Sequence, residues 1–123
     1  MKKKILFIED DLILQKTLGR KLKTENFEVI FASNGEDGLK LVQKEQANLI
    51  LLDLILPRLE GVELLRELRK NEKTKDILVI VLTNVSRETK KIQEILELGA
   101  KGYLVKSDYS LDEIVEKIKK FLK

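Results

Sequence analysis

The feature that most constrains this chain is a repeated change of hydrophobic period. Short runs such as Ile5-Leu6-Phe7-Ile8 and Leu49-Ile50-Leu51-Leu52 are apolar at every position. They alternate with stretches in which apolar residues recur every three or four places. A fully apolar run is a strand covered on both faces, whereas the wider spacing is one face of a helix. After the first run, Leu14, Leu18 and Leu22 share a helical face. Phe27 to Phe31 forms a second strand whose internal Glu28 suits an edge, and Asn34-Gly35 opens a helix carrying Leu39 and Val42. The third strand is Leu49 to Leu52. A loop containing Pro57 and Gly61 then leads to a helix bearing Val62, Leu65 and Leu68. Ile77 to Leu82 is the fourth strand. Ser86 is positioned to cap the next helix, with Ile92, Ile95 and Leu96 inward and Gly99 at its end. Gly102 to Val105 is the fifth strand, and Ser110 caps a last helix bearing Leu111, Ile114, Val115, Ile118, Phe121 and Leu122.

Five strands alternating with five helices predict a doubly wound α/β domain, an open parallel sheet with helices on both faces. A closed eight-fold barrel needs about twice this length. The flavodoxin-like order 2-1-3-4-5 puts the charged second strand on an edge and the fully apolar third and fourth strands inside. At 123 residues the chain is expected to be a single domain over residues 1–123.

Two absences narrow the chemistry. There is no cysteine and no histidine, which excludes disulfide scaffolds, thiolate or imidazole metal sites, and catalytic pairs built on either residue. Any metal must sit on oxygens. The net charge of +3 is small and both signs are interspersed, so it gives no case for direct nucleic-acid binding. The apolar stretch after Lys2-Lys3-Lys4 is too short for a signal segment, and a cytoplasmic protein without a membrane span is expected.

Open parallel sheets bind ligands at the carboxyl ends of their strands. Here the first strand ends in Glu9-Asp10-Asp11, the third in Asp53, the fourth in Thr83 and the fifth in Lys106. Each has a bland alternative: the acids could cap helices or form turns, Thr83 could be a plain strand residue, and Lys106 a solvated lysine. Asp11 is best read as such a cap. The coincidence of all four strand ends on one rim favours a site. Clustered carboxylates repel unless a cation neutralises them, and a small set of oxygen donors suits magnesium. Beside a lysine and a hydroxyl, that arrangement is suited to phosphoryl transfer, with a carboxylate oxygen as nucleophile.

These residues, taken in order, resemble the receiver domain of two-component response regulators of the chemotaxis-regulator type. The resemblance rests on Glu9-Asp10 in ILFIEDD, Asp53 in LILLDLILP with Pro57 following, Gly61, Thr83 in VLTN, the ELGAKGYLVK stretch and Lys106. It implies that Asp53 is the phosphoacceptor. It also implies that Glu9, Asp10, Asp53 and the backbone carbonyl of Ile55 hold Mg2+ or Mn2+, that Lys106 and Thr83 bind the phosphoryl group, and that Thr83 and Tyr103 form the switch. The implied partners are a sensor histidine kinase or histidine phosphotransfer protein, and a downstream protein at the face of the fourth helix, fifth strand and fifth helix. The implied state is a monomer or a weak phosphorylation-dependent dimer. Such a domain undergoes autocatalysed phosphorylation and dephosphorylation and is not a turnover enzyme. An aspartyl-nucleophile phosphatase would need an acid where Ile55 stands. With Asn84 after Thr83 and Ser107 in place of the usual proline, a phosphorylation-independent interaction module is the alternative, and a trans peptide is expected after Lys106.

Overall fold

A computed structural model describes residues 2–85 and 90–122. The chain runs β1 (Lys3–Ile8), α1 (Leu12–Thr24), β2 (Phe27–Ala32), α2 (Gly35–Lys44), β3 (Leu49–Leu52), α3 (Gly61–Lys70), β4 (Leu78–Thr83), α4 (Lys90–Glu97), β5 (Gly102–Val105) and α5 (Leu111–Phe121). All strand pairs are parallel, in the order β2-β1-β3-β4-β5. The predicted doubly wound, flavodoxin-like architecture is therefore the observed one.

The strand pleat divides the core into two layers. On β3, Ile50 and Leu52 face Val42 of α2, Val62, Leu65 and Leu68 of α3, and Ile95 of α4. Leu49 and Leu51 face the opposite side, where Leu18 and Leu22 of α1 and Ile114, Val115 and Ile118 of α5 close the layer. This two-sided burial is why β3 carries no polar residue. Each such side chain contributes about 1.5–3 kcal/mol by leaving water.

Helix starts follow their capping residues. The Asp11 carboxylate accepts from Ile13 N and Leu14 N, so its predicted capping role holds. The Asn34 side chain accepts from Asp37 N, and Ser110 and Glu113 form a reciprocal capping box on α5. Gly99, with φ of 81°, ends α4 in the left-handed region as expected.

Several expectations need adjusting. Leu96 does not point inward: it is 54% exposed, because α4 turns Ile92 and Ile95 to the core instead. β1 begins two residues early, at Lys3, and β4 begins at Leu78 after Ile77. The predicted Ser86 cap lies outside the described residues. Lys106–Asp108 forms a single 3-10 turn that periodicity did not predict, and no peptide among the described residues is cis. Among the described residues no helix is long and apolar enough to cross a membrane.

Candidate functional site

The parallel register brings the strand ends to one edge. Ile8 lies beside Leu52, Leu52 beside Val81, and Thr83 beside Val105, so the residues that follow these strands share a rim. Hydrogen bonds extend the order past the strands. Glu9 N donates to Ala32 O at 2.9 Å and Asp53 N to Ile8 O at 3.1 Å. A carboxylate oxygen from each of Glu9, Asp10 and Asp53 lies within 4.8 Å of the other two. Glu9 and Asp53 are buried, whereas Asp10 reaches solvent.

Lys106 enters this acidic group from the end of β5. Its Nζ stands 3.0 Å from Asp53 Oδ2 and donates a hydrogen bond to it. It also forms an ion pair of 2.6 Å with the buried Glu9 Oε1. The other Glu9 oxygen, Oε2, accepts from Asp11 N at 3.0 Å. Burial raises the Glu9 carboxyl from 4.5 to about 7, against the opposing pull of Lys106 and the Asp11 amide and with added repulsion from Asp53. Lys106 itself is raised: burial would lower it, but contacts with Glu9 and Asp53 outweigh that cost.

Three carboxylates against one ammonium leave the pocket acidic, and Lys106 alone must offset both buried carboxylates. An all-oxygen donor set of this kind fits a small divalent cation held by Glu9, Asp10 and Asp53. Asp53 is otherwise well oriented, since its Oδ1 accepts from Ile55 N at 3.3 Å while the Ile55 side chain stands in solvent.

Thr83 is fully buried at the end of β4, and its Oγ1 accepts from Val85 N at 3.4 Å. Tyr103 on β5 donates its hydroxyl to Val85 O at 2.5 Å. The backbone of a single residue, Val85, therefore bonds both predicted switch residues. Asn84 lies exposed beside them.

Every predicted site side chain is thus near the rim, and the structure adds residues that the sequence did not single out. Val85 contributes only backbone atoms, so no side-chain signal could have marked it. Gln15 is buried, and its Nε2 donates to Glu9 O and to Ser33 Oγ at 3.2 Å, tying the loop after β1 to the loop after β2. Its place three residues before Leu18 and seven before Leu22 put it on the buried face of α1. Gly61, which the sequence did single out, is held against the site: a Cβ there would lie 2.5 Å from Asp53 O and 2.7 Å from Leu54 Cα.

Residues 5–119 match the family model described as the response regulator receiver domain. The chain is 37% identical over 122 residues to the probable transcriptional regulator ycf27 of Cyanophora paradoxa, covering 99% of this chain and 49% of that protein. It spans about half the length of the curated relatives it matches. Among solved structures, a CheY-like response regulator receiver domain protein from Methanospirillum hungatei JF-1 superimposes with a TM-score of 0.89 at 30% identity, covering 99% of this chain and 94% of that one. The Mn(2+)-bound form of response regulator Rcp1 superimposes with a TM-score of 0.85 at 33% identity, covering 97% and 93%.

Proposed function

The chain belongs to the response regulator receiver domain family, and from that premise we propose that Asp53 is its phosphoacceptor. The observation that carries this reading is the buried Asp53 carboxylate, held by Lys106 at the mouth of a three-carboxylate pocket. In the proposed step a carboxylate oxygen of Asp53 attacks the phosphorus of a partner's phosphohistidine. The new O–P bond forms as the N–P bond breaks, and the imidazole leaves. These 123 residues hold no histidine, so the phosphorylated imidazole is supplied from outside them.

Glu9, Asp10, Asp53 and the Ile55 carbonyl are the groups that would hold Mg2+ or Mn2+. The printed description of the Mn(2+)-bound relative supports that choice. When bound, the cation supplies positive charge to the transferring phosphoryl oxygens. Lys106 stays within reach of Asp53 and neutralises the same charge from the protein side. Once Asp53 is phosphorylated, Thr83 Oγ1 exchanges its weak contact with Val85 N for the phosphoryl group. Val85 also accepts from Tyr103, so that exchange changes the surroundings of the tyrosine and biases the face formed by α4, β5 and α5.

This is a switch with one phosphoryl event per cycle, not a turnover enzyme, acting in the cytoplasm. Its upstream partner is a sensor histidine kinase or histidine phosphotransfer protein, and a downstream protein reads the α4-β5-α5 face. The exposed Leu12, Ile13 and Ile55 around the pocket suit docking of the upstream partner. The test is intact-mass measurement after incubation with acetyl phosphate and Mg2+. One phosphoryl group should be gained in the wild type and none in Asp53→Asn; an equal gain in that variant overturns the assignment.

A further inference from the structure

Lysine and arginine are spread along the sequence, but the fold gathers five of them at one sheet edge. Among the described residues β2 pairs with β1 alone, so its other side has no strand to bond. α1 packs over one face of the sheet and α2 over the other, leaving this edge at the floor of a slot between two helices. Lys16, Arg20 and Lys23 line it from α1, and Lys40 and Lys44 from α2. They surround the half-buried Phe31 in two adjoining hollows of about 410 and 460 Å3. Lys23 Nζ sits 5.3 Å from the centre of the Phe31 ring.

The charge is not neutralised locally. Elsewhere on the surface Lys21, Lys70, Lys75 and Lys119 each have a carboxylate within 4.0 Å, but among the described residues none of these five does. Asp37 also lines the slot, so its lining carries five cations against one carboxylate, and Glu28 at the far end of β2 pairs with Lys4. Cations beside an edge strand oppose pairing with another neutral or basic edge. An occupant must therefore bring negative charge.

Spacing narrows the occupant further. Lys16 and Arg20, like Lys40 and Lys44, are four residues apart on a helix, about 6 Å along its axis. Side chains two apart on an extended strand repeat at about 6.6–6.8 Å. A strand added beside β2 would send alternate side chains toward α1 and α2, and each set would meet cations at nearly its own spacing.

We propose that the β2 edge between α1 and α2 docks an extended acidic segment of a partner protein, a run of about five or six Asp or Glu residues added as a strand. The unpaired strand edge favours a polypeptide over a nucleic acid, because a phosphodiester backbone offers no matching ladder of donors and acceptors. Asp53 does not line these hollows, though Gln15 at their edge donates to the Glu9 carbonyl.

The test is a low-salt titration of the isotopically labelled chain, followed by NMR, with a peptide of six glutamates flanked by glycines. Amide shifts should concentrate on residues 28–33. The dissociation constant should rise at least tenfold when Arg20→Glu and Lys44→Glu are combined, and less than twofold when Lys70→Glu and Lys75→Glu are combined. An uncharged glycine-serine peptide of the same length should not bind. Shifts scattered over the basic surface, equal weakening by both pairs, binding of the uncharged peptide, or tighter binding of a single-stranded oligonucleotide at the same amides would each overturn the proposal. Should the reversed pair fail to fold, the wild-type shift map decides the matter unaided.

Discussion

Replacing Lys106 with methionine removes the ammonium from the acidic pocket while keeping a flexible apolar stem of similar length. The gross attraction at stake is large: at an effective dielectric of about 20, contacts of 2.6 and 3.0 Å correspond to about 6 and 5.5 kcal/mol. Most of it offsets the several kcal/mol needed to bury the ammonium and the carboxylates. Removing one partner of a buried ionic group usually costs about 3–5 kcal/mol, since the partners left behind stay unpaired. Protonation of Glu9 in the variant limits its share, because that carboxyl sits at about 7 even with Lys106 holding it down and rises further without it. The expected loss is therefore at the lower end, about 3 kcal/mol at pH 8 without divalent cation. It should shrink below pH 7, where Glu9 is neutral in the wild type as well. Added Mg2+ should stabilise Lys106→Met by more than it stabilises the wild type, since the cation replaces the missing charge. Urea denaturation at pH 8, with EDTA or with millimolar Mg2+, measures all four stabilities. A loss under about 1 kcal/mol in EDTA, or equal Mg2+ stabilisation of both proteins, would refute the picture of Lys106 as the counter-ion of this pocket.

Gly61→Ala should lower thermal stability by an amount equivalent to about 1–3 kcal/mol and slow acetyl-phosphate labelling of Asp53, because the new methyl meets the Asp53 and Leu54 backbone; calorimetry and timed intact-mass spectra check both. Arg69 donates to the carbonyls of Leu98, Lys75 and Ile77 at 2.7–2.8 Å, joining α3 to the end of α4 and the approach to β4. Arg69→Met should cost about 2–3 kcal/mol, or roughly 10 °C in melting temperature. Glu113 is held below its ordinary 4.5 by the Ser110 backbone amide and then its side chain. A lowered carboxylate contributes stability above its ordinary value and loses it as pH falls through the folded one. Glu113→Gln should thus be less stable than the wild type at pH 7, and urea midpoints should converge as the pH falls through the lowered value.

The alternation of periods made the sheet legible because each layer of this fold imposes its own spacing on the chain. β3 shows it most plainly: all four residues are apolar because Ile50 and Leu52 face one helical layer while Leu49 and Leu51 face the other. The site was legible for a related reason. A parallel sheet delivers every strand end to one edge, so Glu9, Asp53, Thr83 and Lys106 could be placed together without knowing any distance. Two kinds of feature escaped. The first acts through backbone atoms or buried amides, as Val85 and Gln15 do, and side-chain chemistry along the chain does not mark it. The second exists only after folding: Lys16, Arg20 and Lys23 are separated from Lys40 and Lys44 by a strand and two turns, and only the packing of α1 and α2 over opposite faces makes them one surface. Leu96 is the converse case, an apolar residue that fits the period yet faces outward. Among the described residues of α4 only Ile92 and Ile95 are buried, so its neighbouring apolar position is left in solvent. Hydrophobic period thus reports which side chains leave water, but not whether they do so in the folded chain or only against a partner.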